Sequence, residues 1–326
     1  MRRPAILTIA VVALAMSIFL FSGDRWIPWW GEGPFGNAIY REDAPSAPTW
    51  IETTSGSRLA IRETRPSTDT LAIAVLIHGL GLHGVWYADL ARALADAGIV
   101  AVTVDLPGHG MSSGQRGSLP TRSALLADLE AAVGKISGRY PNLPLLLVGH
   151  SLGAELVLSP EVLNGLDQEG VAVHGIAALA PYIAGGELES PYDIHHPVLS
   201  VNIRGLVNSD WPVLRYNWPQ DFDDPLLQGT FDLSLLDLWR GSGEAEKRLG
   251  SLTMPLLLLT GTEDRIISAR RVMALAKAVN SRSVTAVGLP GADHMSILSR
   301  GGPELVAWAR SVLPHRKFEG NKRESE

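Results

Sequence analysis

The chain has 326 residues and a formal net charge of −6, and its lysines and arginines form no basic block in the body, which excludes an ordinary nucleic-acid binder. It contains no cysteine, so disulfides, thiolate metal sites, a cysteine nucleophile and a lipidated N-terminal cysteine are all excluded. The length accommodates one large α/β domain with additions.

Residues Pro4 to Phe21 carry no charge and are mostly Ala, Ile, Leu, Val and Phe, with Arg2 and Arg3 before them and Asp24 and Arg25 after. As a helix such a stretch rises about 27 Å, nearly the depth of a bilayer core. Residues 1–22 therefore read as a membrane anchor. A cleaved signal sequence is the alternative, with Ala13-Leu14-Ala15 as an A-x-A site. Cutting there leaves a short apolar region, and Phe21-Ser22-Gly23 is a poor site, which favours the anchor. In both cases the arginine pair stays cytoplasmic and the body lies on the extracytoplasmic side, either anchored or secreted. Trp26, Trp29 and Trp30 then fall at the outer interface. Residues 23–49, rich in Trp, Pro and Gly, read as a linker, with regular structure starting near Trp50.

From there, apolar runs alternate with helical patterns. Ala72 to Ile77, Ile99 to Val104, Leu145 to Val148 and Val171 to Leu179 read as buried strands. Val85 to Ala97 reads as a helix stopped by Gly98, and Thr121 to Ser137 as a helix with Leu125, Leu129 and Val133 four apart. From Pro181 to about Gly243 the pattern breaks into Pro, Asp, Trp and Gly with no clear strand. Residues 181–243 are expected to form a cap inserted over the sheet edge. The alternation resumes with a strand at Met254 to Thr260, a helix near Ala269 to Ala278, a strand at Ser283 to Val287 and a closing helix from Pro303 to Leu313. Residues 314–326 read as a charged, unstructured tail. Continuous apolar strands between helices imply a mostly parallel sheet covered on both faces, over 50–313.

Gly149-His150-Ser151-Leu152-Gly153 is a G-x-S-x-G pentapeptide between the run Leu145–Val148 and a helix start at Ala154, the strand–turn–helix context of a nucleophile elbow. Gly110-Met111-Ser112-Ser113-Gly114 matches the same pattern, but no strand enters it and no helix leaves it. It reads as an ordinary Gly/Ser turn, and context selects Ser151 over Ser112.

A serine nucleophile needs a base, and the base needs an acid to fix its tautomer. In this kind of sheet the chain order is Ser, acid, His, each following a strand. Gly261-Thr262-Glu263-Asp264 follows a late strand and offers Asp264, with Glu263 as the fallback. His294 lies after the last strand and before the last helix, where the base belongs. Of the other histidines, His174 falls inside a strand and His315 in the tail. His195 and His196 fall in the insertion, and His109 falls in a turn after a strand, at the periphery of the site. His83 lies beside the loop His78-Gly79-Leu80-Gly81, and His150 supports the elbow. Acyl transfer also needs donors for the developing oxyanion. The amide of Leu152 is one candidate and that of Leu80 the other. Serine at the elbow argues against epoxide hydrolase and dehalogenase chemistry, which use aspartate there. No H-E-x-x-H and no G-x-G-x-x-G after a strand is present.

These motifs, together with Asp105-Leu106-Pro107-Gly108-His109-Gly110 and Asp224-Pro225-Leu226, resemble the monoacylglycerol lipase and lysophospholipase (serine aminopeptidase S33-type) branch of the α/β-hydrolases. The Gly-His-Gly-x-Ser-x-Gly loop followed by Arg116 is the part most specific to that branch. The resemblance covers roughly 50–313 and implies an α/β-hydrolase fold with a Ser151–Asp264–His294 triad and oxyanion amides at Leu80 and Leu152. It implies a cap over an apolar acyl tunnel, a lipid monoester as substrate, and no metal or organic cofactor. The N-terminal segment and the charged, Pro- and Trp-rich stretch from Gly185 to Trp218 depart from the soluble members. With the same triad a general carboxylesterase, a thioesterase or a proline-type peptidase is the alternative.

Overall fold

The computed structural model describes residues 26–32, 46–182, 197–202, 211–216, 218, 224–239, 249–279 and 283–314. The N-terminal segment 1–22, His195 and His196, and the tail from His315 lie outside them. Among the described residues no helix is long and apolar enough to cross a membrane.

Eight strands form the main sheet: β2 (Thr49–Glu52), β3 (Arg58–Thr64), β4 (Ala72–Ile77), β5 (Ile99–Val104), β6 (Leu145–His150), β7 (Val173–Leu179), β11 (Leu256–Gly261) and β12 (Val284–Leu289). Their order is β12-β11-β7-β6-β4-β5-β3-β2. The pairs from β12 to β5 are parallel, while β3 runs antiparallel to both β5 and β2. Every residue of β4, β5, β6 and β11 is buried, as expected of strands covered on both sides.

The helices that cover them are α1 (Ala88–Asp96), α2 (Arg122–Gly138), α3 (Leu152–Val157), α4 (Pro160–Gln168), α6 (Ala269–Val279) and α8 (Gly302–Val312). Successive strand residues face opposite sides. Val75 and Ile77 of β4 join a cluster with Leu125, Leu129 and Val133 of α2. Ala74 and Leu76 join one with Leu90 and Leu94 of α1 and Leu305 and Trp308 of α8. Thr121 caps α2 by accepting the Ala124 amide at 3.3 Å. The expected helix from Val85 begins instead as a tight 3₁₀ turn, Gly84–Tyr87, and becomes α-helical at Ala88.

Two stretches expected to lack strands contain them. β1 (Trp26–Glu32) lies in the region read as a linker, and β8 (Pro197–Asn202), β9 (Leu214–Tyr216) and β10 (Thr230–Phe231) lie in residues 181–243, the stretch expected to form the cap. They form a second sheet in the order β1-β8-β9-β10, antiparallel throughout. These strands are short, or interrupted by proline and a register shift at Pro28/Trp30. None carries a periodic pattern of its own. A short helix α5 (Leu235–Trp239) follows β10, and another, α7 (Ile297–Arg300), precedes α8.

Candidate active site

β6 runs directly into Ser151, which adopts φ 53° and ψ −116° before the chain enters α3. A non-glycine residue at positive φ stores roughly 1–3 kcal/mol of strain. The turn leaves no room beside it. A Cβ on Gly149 would lie 2.3 Å from the Gly153 carbonyl oxygen, and one on Gly153 would lie 2.2 Å from that of Ile77. The Ser151 amide donates to the Leu179 carbonyl at 2.9 Å, and its own carbonyl accepts from Tyr182 at 3.1 Å. Neighbouring strand ends thus hold the turn in place.

Beyond β11, Asp264 is buried while Glu263 is exposed. Asp264 Oδ1 accepts the amides of Ile266 and Ile267, each at 2.8 Å. Its Oδ2 stands 2.8 Å from His294 Nδ1. An ionised carboxylate only accepts, so Nδ1 carries the proton and Nε2 keeps the lone pair of a base. The His294 loop is itself braced: Asp293 Oδ1 accepts from Met295 at 3.0 Å and from Ser296 at 2.8 Å.

The loop after β4 packs on the elbow. A Cβ on Gly79 would meet both Ser151 Cβ and His150 Nδ1 at 3.1 Å, which sets Leu80, the next residue, in the loop beside the serine. Leu152 is the first residue of α3, and amides of a helix's first turn have no acceptor within the helix. Both amides expected to face an oxyanion are therefore on the segments that border Ser151.

A buried polar chain joins these loops. The Gly79 amide donates to Tyr87 Oη at 2.9 Å. Tyr87 Oη lies 3.0 Å from His150 Nδ1, and His150 Nε2 lies 2.9 Å from the His294 carbonyl. A carbonyl only accepts, so Nε2 carries the proton, Nδ1 accepts from the Tyr87 hydroxyl, and the hydroxyl oxygen accepts from Gly79. Burial pushes the His150 imidazole well below its usual value and the Tyr87 phenol well above. Both stay neutral, as this chain of donors requires. His150 supports the elbow as its position implies. Tyr87 gives no sequence signal, because it sits in an apolar, helix-like run.

The remaining histidines of this edge are structural. His78 Nε2 accepts the Leu106 amide at 2.8 Å, its Nδ1 faces the Gly79 carbonyl at 2.8 Å, and burial lowers it to about 4. His109 is buried. It lies against Phe231 of β10 with ring centroids 5.8 Å apart, and burial lowers it to about 3. Ser112, from the second G-x-S-x-G, accepts the Ala60 amide at 2.8 Å and donates to the Asp105 carbonyl at 2.5 Å, so it is a turn residue. Burial alone would raise Asp105, but Arg62, His78 and the amides of Met111 and Gly84 outweigh it and hold the carboxyl low.

The cap returns to this edge through Asp224. Its Oδ2 lies 2.7 Å from His83 Nε2 and 2.8 Å from Trp86 Nε1, and its Oδ1 accepts the Leu226 amide at 2.9 Å. Arg116 spans Gly110 and Leu226 by donating to both carbonyls. The Asp-Pro-Leu motif is thereby clamped to the loop that carries Leu80. Among the described residues no three His, Asp or Glu side chains are grouped to hold a metal ion.

Residues 68–299 match the family model described as serine aminopeptidase, S33. The chain belongs to this family of α/β-hydrolases. It is 27% identical to the monoacylglycerol lipase of Mycolicibacterium smegmatis over 247 residues, 73% of this chain and 86% of that protein. It is 28% identical to the monoglyceride lipase of Homo sapiens over 273 residues, 77% and 84% of the two chains. The fold is similar to that of a soluble variant of monoglyceride lipase from Saccharomyces cerevisiae, with a TM-score of 0.66 at 18% identity over 85% of this chain and all of that one. It is also similar to a thermophilic esterase from Thermogutta terrifontis, with a TM-score of 0.57 at 17% identity over 82% of this chain and all of that one. This S33 member is a serine ester hydrolase of the lipase and esterase kind.

Proposed function

We propose that the chain hydrolyses lipid monoesters, a monoacylglycerol or a lysophospholipid, through an acyl-enzyme on Ser151. The observation that carries the chemistry is the packing of a strained elbow serine against Gly79, with the Asp264–His294 pair joined to the same elbow through His150. In this reading Ser151 Oγ attacks the ester carbonyl as His294 Nε2 takes its proton. The carbonyl oxygen becomes an oxyanion and receives the amides of Leu80 and Leu152. Collapse expels the alcohol, which takes the proton from His294. Water then repeats the sequence on the acyl-serine, and the fatty acid leaves. Asp264 holds the Nδ1 tautomer and stabilises the imidazolium.

The lipid monoester is supported by the similarity to monoacylglycerol lipases over most of the chain and by the loop Gly108–Gly114 followed by Arg116. The apolar segment before Asp24 supports a protein held at a membrane, with its catalytic domain on the extracytoplasmic side, or secreted after cleavage. A general carboxylesterase or thioesterase is the second reading, favoured by the fold's similarity to an esterase. The S33 family's description as a serine aminopeptidase keeps a peptidase in view, the proline-type one being the alternative the triad also allows.

The test is a matched panel of long-chain 1-monoacylglycerols, lysophospholipids, acyl thioesters, short p-nitrophenyl esters and proline-containing peptides, with Ser151→Ala as control. Ser151-dependent release from a long-chain monoester is expected. Turnover confined to short esters, thioesters or peptides would replace the lipid reading with the corresponding alternative.

A further inference from the structure

The apolar stretch of the N-terminus ends at Phe21, and β1 begins at Trp26. Four residues lie between them, so Phe21 and Trp26 are at most about 17 Å apart. β1 is an integral strand: it pairs with β8 from Trp26↔Asn202 to Glu32↔Pro197. It forms one edge of the cap sheet, and β10 forms the other.

The β10 edge is seated on the catalytic body. The Asp232 amide donates to the Gly117 carbonyl, and the Gln228 amide donates to the Gly81 carbonyl, both at 2.8 Å. The seat admits only glycine. A Cβ on Gly117 would lie 2.5 Å from the Thr230 carbonyl oxygen, and one on Gly81 would lie 2.7 Å from that of Gln228. Gly81 and Gly117 belong to the loops after β4 and β5, at the carboxyl ends of the strands, as does Ser151. Three strand spacings, about 14 Å, separate the β1 edge from β10. Hydrogen bonds thus run without a break from β1, through the sheet, to the loop that carries Leu80.

We propose that the β1-β8-β9-β10 sheet is a tether that holds the mouth of the Ser151 site against the surface of a lipid bilayer. The partner surface is the bilayer in which residues 1–22 are embedded, so the orientation rests on reading that segment as an anchor. An anchor joined to the body through a slack linker would leave the domain free to tumble. One followed within four residues by a strand of the cap sheet limits which end of the main sheet faces the lipid. The indole-rich composition of β1, with Trp26, Trp29 and Trp30 in seven residues, suits the headgroup layer. A monoester then passes from the bilayer into the site without crossing bulk water.

The absence of cysteine makes the test direct. A single cysteine is placed at Met111, an exposed residue in the loop after β5, or at Asp167, an exposed residue near the start of β7 at the other end of the sheet. Each is labelled with a donor dye in the full chain, reconstituted in phosphatidylcholine vesicles carrying a headgroup acceptor. Each is then combined with a twenty-residue Gly/Ser insertion either before β1, between Ser22 and Gly23, or after it, between Gly36 and Asn37. Such an insertion adds an r.m.s. reach of about 25 Å.

Several-fold stronger transfer from position 111 than from 167 is expected in the intact chain. The insertion before β1 should erase the difference and the insertion after β1 should preserve it, because strand pairing still links anchor to cap. Equal transfer from both positions in the intact chain would overturn the proposal, as would loss of the difference on insertion after β1. Recovery of the intact chain in the soluble fraction would overturn the anchor and the orientation with it. A preserved difference without Ser151-dependent turnover would support the tether while sinking the catalytic reading.

Discussion

Acidification should destabilise this fold steeply, because three histidines are buried without charge. His78, His109 and His150 are each 1% exposed. Burial lowers His78 to about 4, His109 to about 3 and His150 well below the usual value. In the unfolded chain each binds a proton near pH 6.5. Between that value and the folded ones the unfolded state holds more protons, so stability rises with pH. The contribution is complete above pH 6.5 and is lost as pH falls toward the folded values. One proton corresponds to about 1.4 kcal/mol per pH unit, so three give roughly 4 kcal/mol per unit. From pH 8 to 5 the loss is about 6 kcal/mol, a large share of a typical folding free energy. Urea unfolding at constant ionic strength from pH 8 to pH 5 measures the slope. His109→Phe keeps an aromatic ring near Phe231 but removes the donor to the Pro107 carbonyl. It should lower stability at pH 8 by about 1–3 kcal/mol and reduce the acid slope by about a third. Stability that stays level between pH 7 and pH 5, or a slope unchanged in the variant, would refute the assignment of neutral buried imidazoles.

Ser151→Gly should abolish ester turnover yet raise stability by about 1 kcal/mol, since glycine relieves the positive φ; a lowered Tm would show that the turn is not strained. Asp264→Asn should lower kcat by about 10⁴-fold through loss of the correct His294 tautomer, while Glu263→Gln stays within about twofold. Equal effects on turnover at the two positions would remove Asp264 from its assigned role. Asp224→Asn places an amide N–H against the donors of Trp86 and His83 or that of Leu226, and should cost about 1–3 kcal/mol at pH 7 by thermal unfolding. By loosening the Leu80 loop it should also slow kcat and fluorophosphonate labelling of Ser151 by about tenfold, and unchanged labelling would separate the clamp from the oxyanion loop. Burial would raise the Asp224 carboxyl, but His83, the Leu226 amide and Trp86 outweigh it and hold it low. Its share of stability is present above about pH 4 and lost below, and the Asn variant should lack that acid step.

What could be read from the chain was whatever a short window determines. Ile99–Val104 matches its expected strand to the residue, because a strand buried on both faces must be a continuous apolar run. Ser151 could be told from Ser112 because an elbow needs a strand before it and a helix after it. Only Ser151 has both, and Ser112 spends its hydroxyl on Ala60 and Asp105. The apolar pattern places the start of α1 at Val85, three residues early, since a 3₁₀ turn over Gly84–Tyr87 buries the same residues as a helical turn. The structure separates Asp264 from its fallback, Glu263. The shorter side chain of Asp264 folds back onto the amides two and three residues on, which turns its second oxygen to His294 while Glu263 faces solvent.

What could not be read shares a cause: the partners are far apart in sequence and individually ordinary. Tyr87 meets His150 across 63 positions, and His150 meets the carbonyl of His294 across 144. Asp224 meets His83 across 141. The β1 strand pairs with β8 although neither has the alternation of a half-buried strand. In each case one partner lies in the cap, in a loop or in the 3₁₀ turn before α1, none of which the main sheet alone needs. The sheet follows from local apolar pattern, whereas the distant contacts set how the elbow, the Leu80 loop, the His294 loop and the cap sit on it. A change at Tyr87 or Asp224 would therefore leave the sheet pattern untouched and still alter the geometry around Ser151.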